Sequence, residues 1–141
     1  MTPDERRGLL VQSAYRWLGT PYHHRACIHG VGVDCAQLLI AVYAEAGVIE
    51  AFEPEDYPMD WMLHREEERF IATIRACGGA RTNNPRPGDV ALWRFGRCYA
   101  HGGILVGDGL VIHARNPMGV LLSGVDEGEL ARRHCLYWTV Q

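Results

Sequence analysis

Apolar positions recur at helical spacing in the first half of the chain and alternate in short runs in the last third. Leu10, Ala14, Trp17 and Leu18 fall on one face of a helix. Thr2-Pro3-Asp4-Glu5 supplies its start, with Thr2 as N-cap, Pro3 at the first helical position and Glu5 closing a capping box. Gly19 and Pro21 stop it. A second helix, from about 34 to 46, runs apolar through Ala36, Leu38, Leu39, Ile40, Ala41, Val42, Ala44 and Ala46 to a stop at Gly47. Such a helix is buried. A third, from about His64 to Cys77, is amphipathic: Phe70, Ile71, Ile74 and Cys77 face inward, and Arg65-Glu66-Glu67-Glu68-Arg69 face water. Between them lie a long loop, 19–34, and an irregular stretch, 48–62.

After the turn Pro85-Arg86-Pro87-Gly88-Asp89 the pattern becomes β-like, in runs Val90–Phe95, Cys98–Val106, Leu110–Ala114, Val120–Leu122 and Cys135–Val140. A helical turn near Glu127–Arg132 precedes the last run. Helices first and antiparallel strands second is an α+β order, with the helices packed on a sheet of about five strands. Residues 1–141 read as a single domain, and 48% hydrophobic content is enough for an ordinary core.

Charge excludes more than it assigns. The net charge of −3 is spread along the chain, so there is no basic stripe for nucleic acid. No apolar run approaches the ~20 residues of a membrane span. Met1-Thr2-Pro3-Asp4-Glu5 has no charged-then-apolar leader pattern, so synthesis in the cytoplasm is expected. Five cysteines (Cys27, Cys35, Cys77, Cys98 and Cys135) without CxxC spacing fit a reducing compartment better than a disulfide framework.

One cysteine is placed for chemistry. Cys35 opens the buried helix, where free N–H groups and the helix dipole favour negative charge and lower a thiol pKa. His101 and His113 lie on strands joined through Val106-Gly107-Asp108-Gly109-Leu110. A three-residue loop, Gly107-Asp108-Gly109, pairs Gly103 with His113 and sets both histidines on one face; a two-residue loop separates them. Cysteine, base and orienter then form a nucleophilic constellation. His101 takes the thiol proton, His113 fixes its tautomer, and the N–H of Cys35, at an uncapped helix start, helps hold an oxyanion. His23, His24, Cys27 and His29 crowd the 19–34 loop, but their spacing matches no paired metal-ligand pattern. No metal and no cofactor are expected.

These residues, in order, carry a resemblance. Gly19-Thr20-Pro21-Tyr22, Val33-Asp34-Cys35-Ala36-Gln37-Leu38, Arg86-Pro87-Gly88-Asp89-Val90, His101-Gly102-Gly103-Ile104-Leu105-Val106-Gly107-Asp108-Gly109 and Val111-Ile112-His113-Ala114 resemble the NlpC/P60 family of cell-wall cysteine peptidases. The resemblance implies a papain-like α+β fold and a Cys35-His101-His113 triad. It implies peptidoglycan stem peptides as substrate, cut at the γ-D-glutamyl–diaminopimelate bond. Tyr22 matches the family's loop tyrosine beside the cysteine, and Asp34 the acidic residue that receives a free stem amine. The bare domain looks like phage and prophage tail-associated members, which makes other tail proteins expected partners. Two departures stand out: Ala36-Gln37 replaces a small hydroxyl residue and glycine, and His23-His24-Arg25-Ala26-Cys27-Ile28-His29 replaces an aromatic and paired glycines. A catalytically silent tail-tip docking module of the same fold, or an amide or acyl transferase, are the competing functions.

Overall fold

The computed structural model describes residues 1–54 and 68–140. Helix α1 spans Pro3–Arg16 and carries the expected capping box, with Thr2 and Glu5 exchanging side-chain and backbone hydrogen bonds. Its buried stripe is Leu10, Ser13 and Ala14, continued by Trp17 just past the end, whereas Leu18 is exposed. Helix α2, Cys35–Glu45, is the buried one. Glu45 at its end accepts from Ser13 Oγ (2.5 Å), Arg16 (3.0 Å) and Trp17 Nε1 (3.0 Å), which ties α1 across α2. Gly47 follows at φ 76°, a left-handed stop open to glycine at little cost. Helix α3, Arg69–Ala76, buries Phe70 and Ile74. Its expected start at His64 and most of the charged run lie outside the described residues, as does most of the 48–62 stretch.

The 19–34 segment holds a small two-stranded ribbon, β1 (Cys27–Ile28) with β2 (Gly32–Val33), and Tyr22 bridges Val33. The main sheet is antiparallel and has six strands: β3 (Ala80–Thr82), β4 (Val90–Phe95), β5 (Cys98–Gly107), β6 (Leu110–Arg115), β7 (Gly119–Gly124) and β8 (Cys135–Thr139). Their order is β3-β8-β4-β5-β6-β7. The strand beyond the expected five is β3, three residues long and paired with β8 at the sheet edge. The helical turn before β8 is a 3-10 turn, Leu130–Arg132.

Register divides the sheet into two faces. Leu92, Gly102, Ile104, Ile112 and Ala114 belong to the helix side, where a Cβ on Gly102 would touch Leu39 of α2 and Phe70 of α3. Trp93, His101, Gly103 and His113 belong to the other side, above a smaller core of Ala91, Leu105, Val111 and Leu130. The hairpin pairing Gly103 with His113 is as expected, but its loop is not. Gly107 pairs with Leu110, so the turn has two residues, Asp108 and Gly109, at φ 56° and 71°. Those are the positive angles of the primed turns that suit hairpin twist. A bulge between Leu105 and Gly107 supplies the missing residue and returns both histidines to one face.

Candidate active site

Asp34 starts α2 as its N-cap: one carboxylate oxygen accepts from Gln37 N–H (2.9 Å) and the other from Arg25 N–H (2.7 Å). It is 1% exposed. The helix start is therefore capped, contrary to the reading from sequence. Cys35 follows, half-buried, with its sulfur 3.7 Å from the carbonyl oxygen of Ala100. The Gly102 N–H also points at the sulfur. The thiol thus lies against the backbone on both sides of His101. It reaches the sheet where β5 and β6 part company, since the last pair between them is Gly103 with His113.

The two imidazoles meet directly. His101 Nε2 and His113 Nδ1 are 2.7 Å apart, and His113 Nε2 lies 2.9 Å from Ser123 Oγ on β7. Trp93, fully buried and opposite His101 in the register, packs on both rings, with centroids 5.9 and 6.2 Å away. Phe95 covers His101 from the strand end at 5.3 Å, and the Arg133 guanidinium sits over Phe95 at 3.9 Å. This apolar shield lowers the local dielectric and strengthens the imidazole pair. Trp138 Nε1 is the only buried side-chain nitrogen or oxygen without a partner among the described residues. The described ring hydrogen bond of His101 is made through Nε2, which leaves Nδ1 without one among the described residues. That is the nitrogen a base needs free.

Electrostatics correct the expectation of a resting thiolate. Burial pushes the Cys35 thiol up to about 12, and the Asp34 charge adds to this. The N–H groups of Gly102, Ala36 and Cys35 oppose the shift without cancelling it. The helix-start N–H groups do pull the pKa down, but burial first and the Asp34 charge second outweigh them. His101 is held well below its ordinary value by burial first, then by His113, Arg115 and Arg133. Burial brings His113 down to about 4. At rest the thiol and both imidazoles are thus neutral, and no hydrogen bond joins the sulfur to either ring among the described residues. In the free protein Cys35 should alkylate more slowly than an ordinary cysteine at pH 7, with the rate still climbing above pH 9. An iodoacetamide rate–pH profile checks this.

The imidazoles also make the fold acid-sensitive. A histidine whose folded pKa is depressed contributes stability that is complete above its ordinary 6.5 and lost as pH falls toward the folded value. His113 alone should cost about 2 kcal/mol between pH 7 and pH 5. Urea melts at the two pH values measure the loss, which should be smaller in His113→Asn.

Among the described residues, Tyr22, His24, Asp34, Cys35, Leu39 and Ala100 share the wall of a cavity of about 680 Å³ on the helix side. Neither catalytic-type histidine lines it. Burial first, then the nearby Cys35 and Asp34, raise the Tyr22 phenol above its ordinary value, so it stays a hydrogen-bond donor. The loop histidines disperse: His23 faces the His24 carbonyl, His24 lies 3.8 Å from Asp34, and His29 bonds the Arg16 carbonyl and packs on Trp17. Cys27 is exposed, with its sulfur near the Gln37 carbonyl. Among the described residues no three His, Cys, Asp or Glu side chains converge in a way that could hold a metal, and no helix is long and apolar enough to cross a membrane.

Two residues of the site were not singled out in the sequence. Trp93 is one apolar position within the Val90–Phe95 run, and only its register opposite His101 puts it under both rings. Ser123 carried no signal until β6 and β7 were aligned.

The sequence model described as the NlpC/P60 family matches residues 12–139. Among solved structures the fold is similar to the NlpC/p60 domain of the peptidoglycan hydrolase SagA, with TM-score 0.59 and 19% identity over 92% of this chain and 96% of that one. It is also similar to NlpC1 from Trichomonas vaginalis (TM-score 0.69, 16% identity, 99% of this chain, 46% of that one). A third is an NlpC/P60 family protein from Bacillus cereus ATCC 10987 (TM-score 0.64, 18% identity, 93% of this chain, 39% of that one). The chain spans less than half of the last two. No curated protein matches the chain.

Proposed function

The chain belongs to the NlpC/P60 family, and from that premise we propose that it is a cysteine peptidase hydrolysing amide bonds in peptidoglycan stem peptides. One observation carries the reading: the 2.7 Å contact between His101 and His113 stands beside a thiol seated against the backbone that flanks His101. In this reading residues 1–141 are a single catalytic domain. Because thiol and imidazole are both neutral at rest, the proton moves as attack begins. His101 Nδ1 takes it from Cys35 while the sulfur adds to the carbonyl carbon. The N–H of Cys35 receives part of the oxyanion charge. His101 then gives the proton to the leaving amine, and water attacks the thioester with His101 again as base. No cofactor enters.

The proposed scissile bond is γ-D-glutamyl–diaminopimelate, on the sequence resemblance, as is association with phage tail proteins. Tyr22 donates a hydrogen bond to the stem. Asp34 faces its free amine with a carboxylate that already caps α2, so its part is charge more than a new contact. Digestion of purified muropeptides with mass analysis tests the function. Release of peptides that begin with diaminopimelate supports it. Intact muropeptides, under conditions where the protein is folded, would overturn it.

A further inference from the structure

The hydrogen-bond chain behind His101 does not end at His113. His113 is 1% exposed and bonded at both ring nitrogens, Nδ1 to His101 and Nε2 to Ser123 Oγ. A neutral imidazole has one N–H and one lone pair, so only two arrangements of this chain are self-consistent. In the first, His113 carries its proton on Nε2 and donates it to Ser123. Its Nδ1 then accepts from His101 Nε2–H, and the lone pair of His101 Nδ1 is left open. In the second, Ser123 donates to His113 Nε2, His113 Nδ1–H donates to His101, and the His101 proton is forced onto Nδ1. Only the first leaves His101 able to take a proton from Cys35.

We infer that Ser123 is a positioning residue that holds the His113–His101 pair in the base-competent tautomer by accepting the His113 Nε2–H. The inference rests on the proposed role of His101 as base. Its geometry is specific to β7: Ser123 pairs with Val111, diagonal to His113, and so projects on the same face as both histidines. Without the hydroxyl, a proton on Nε2 has no acceptor in a buried site. The ring then moves its proton to Nδ1, where His101 can accept it, and that switches His101 to the wrong form.

The experiment reads tautomers directly, with activity as a second measure. Imidazole nitrogen-15 spectra of the full chain at pH 7 should show both His101 and His113 protonated on Nε2. In Ser123→Ala both protons should shift to Nδ1, with kcat down about tenfold to a hundredfold and KM little changed. Ser123→Thr, which keeps the hydroxyl, should restore the wild-type spectrum and most of kcat. Wild-type protein with His113 protonated on Nδ1 overturns the inference, as does Ser123→Ala with unmoved tautomers. Should Ser123→Ala fail to fold, the wild-type and Ser123→Thr spectra decide alone. Wild-type tautomers as inferred, in a protein that cleaves no muropeptide, would count against the proposed function and not against Ser123.

Discussion

Cys35→Ala is expected to lose all measurable turnover, a fall of about 10⁴-fold or more, while the protein stays folded. The size follows from the absence of a substitute. Cys27 is exposed but lies toward the Gln37 carbonyl, Cys77 follows α3, Cys98 shares β5 with His101 but is buried in the helix-side core, and Cys135 has β4 between it and His101. Stability should change little, because the thiol donates only a long 3.7 Å contact to the Ala100 carbonyl and packs beside a cavity. Thermal melts should therefore overlay within a few degrees when activity is gone. Muropeptide assays of the purified variant, read beside the melts, check both halves.

His101→Ala should cost about 10²–10⁴-fold in kcat, the usual range for a general acid–base group. Two effects add: the proton acceptor for a thiol held near 12 is lost, and so is the donor to the leaving amine. A strongly alkaline assay should recover part of the rate, since solvent can then ionise the thiol without help. His113→Ala should fall less far, because that ring acts through the orientation of His101. Rates measured from pH 6 to pH 10 separate the two variants. A His101→Ala rate equal to wild type at pH 7 would remove the base from the account.

The sequence made legible what local chemistry controls. Thr2 and Glu5 cap α1 as their spacing required, Gly47 ends α2, and five of the six main strands lie where the apolar runs fall. The histidine register came out right although the hairpin loop did not. The bulge at Val106 compensates for the shorter Asp108-Gly109 turn, and a bulge has no signature in a run such as Ile104-Leu105-Val106. β3 was missed because three residues beside Gly78-Gly79 become a strand only when β8, more than fifty positions later, pairs with them. The thiol's charge state was misjudged for a related reason. A helix start is visible in sequence, whereas enclosure of the sulfur and the capping use of Asp34 depend on where Arg25 and β5 come to rest. Trp93 and Ser123 needed cross-strand alignment before either could be seen beside the imidazoles.

The most direct test is intact-mass spectrometry of protein quenched in acid during turnover of muropeptides. The account predicts a thioester adduct carrying the acyl part up to D-glutamate, mapped by digestion to the peptide containing Cys35 and missing in Cys35→Ala. Cleavage of the substrate with Cys35 never acylated, or acylation at another residue, would contradict it.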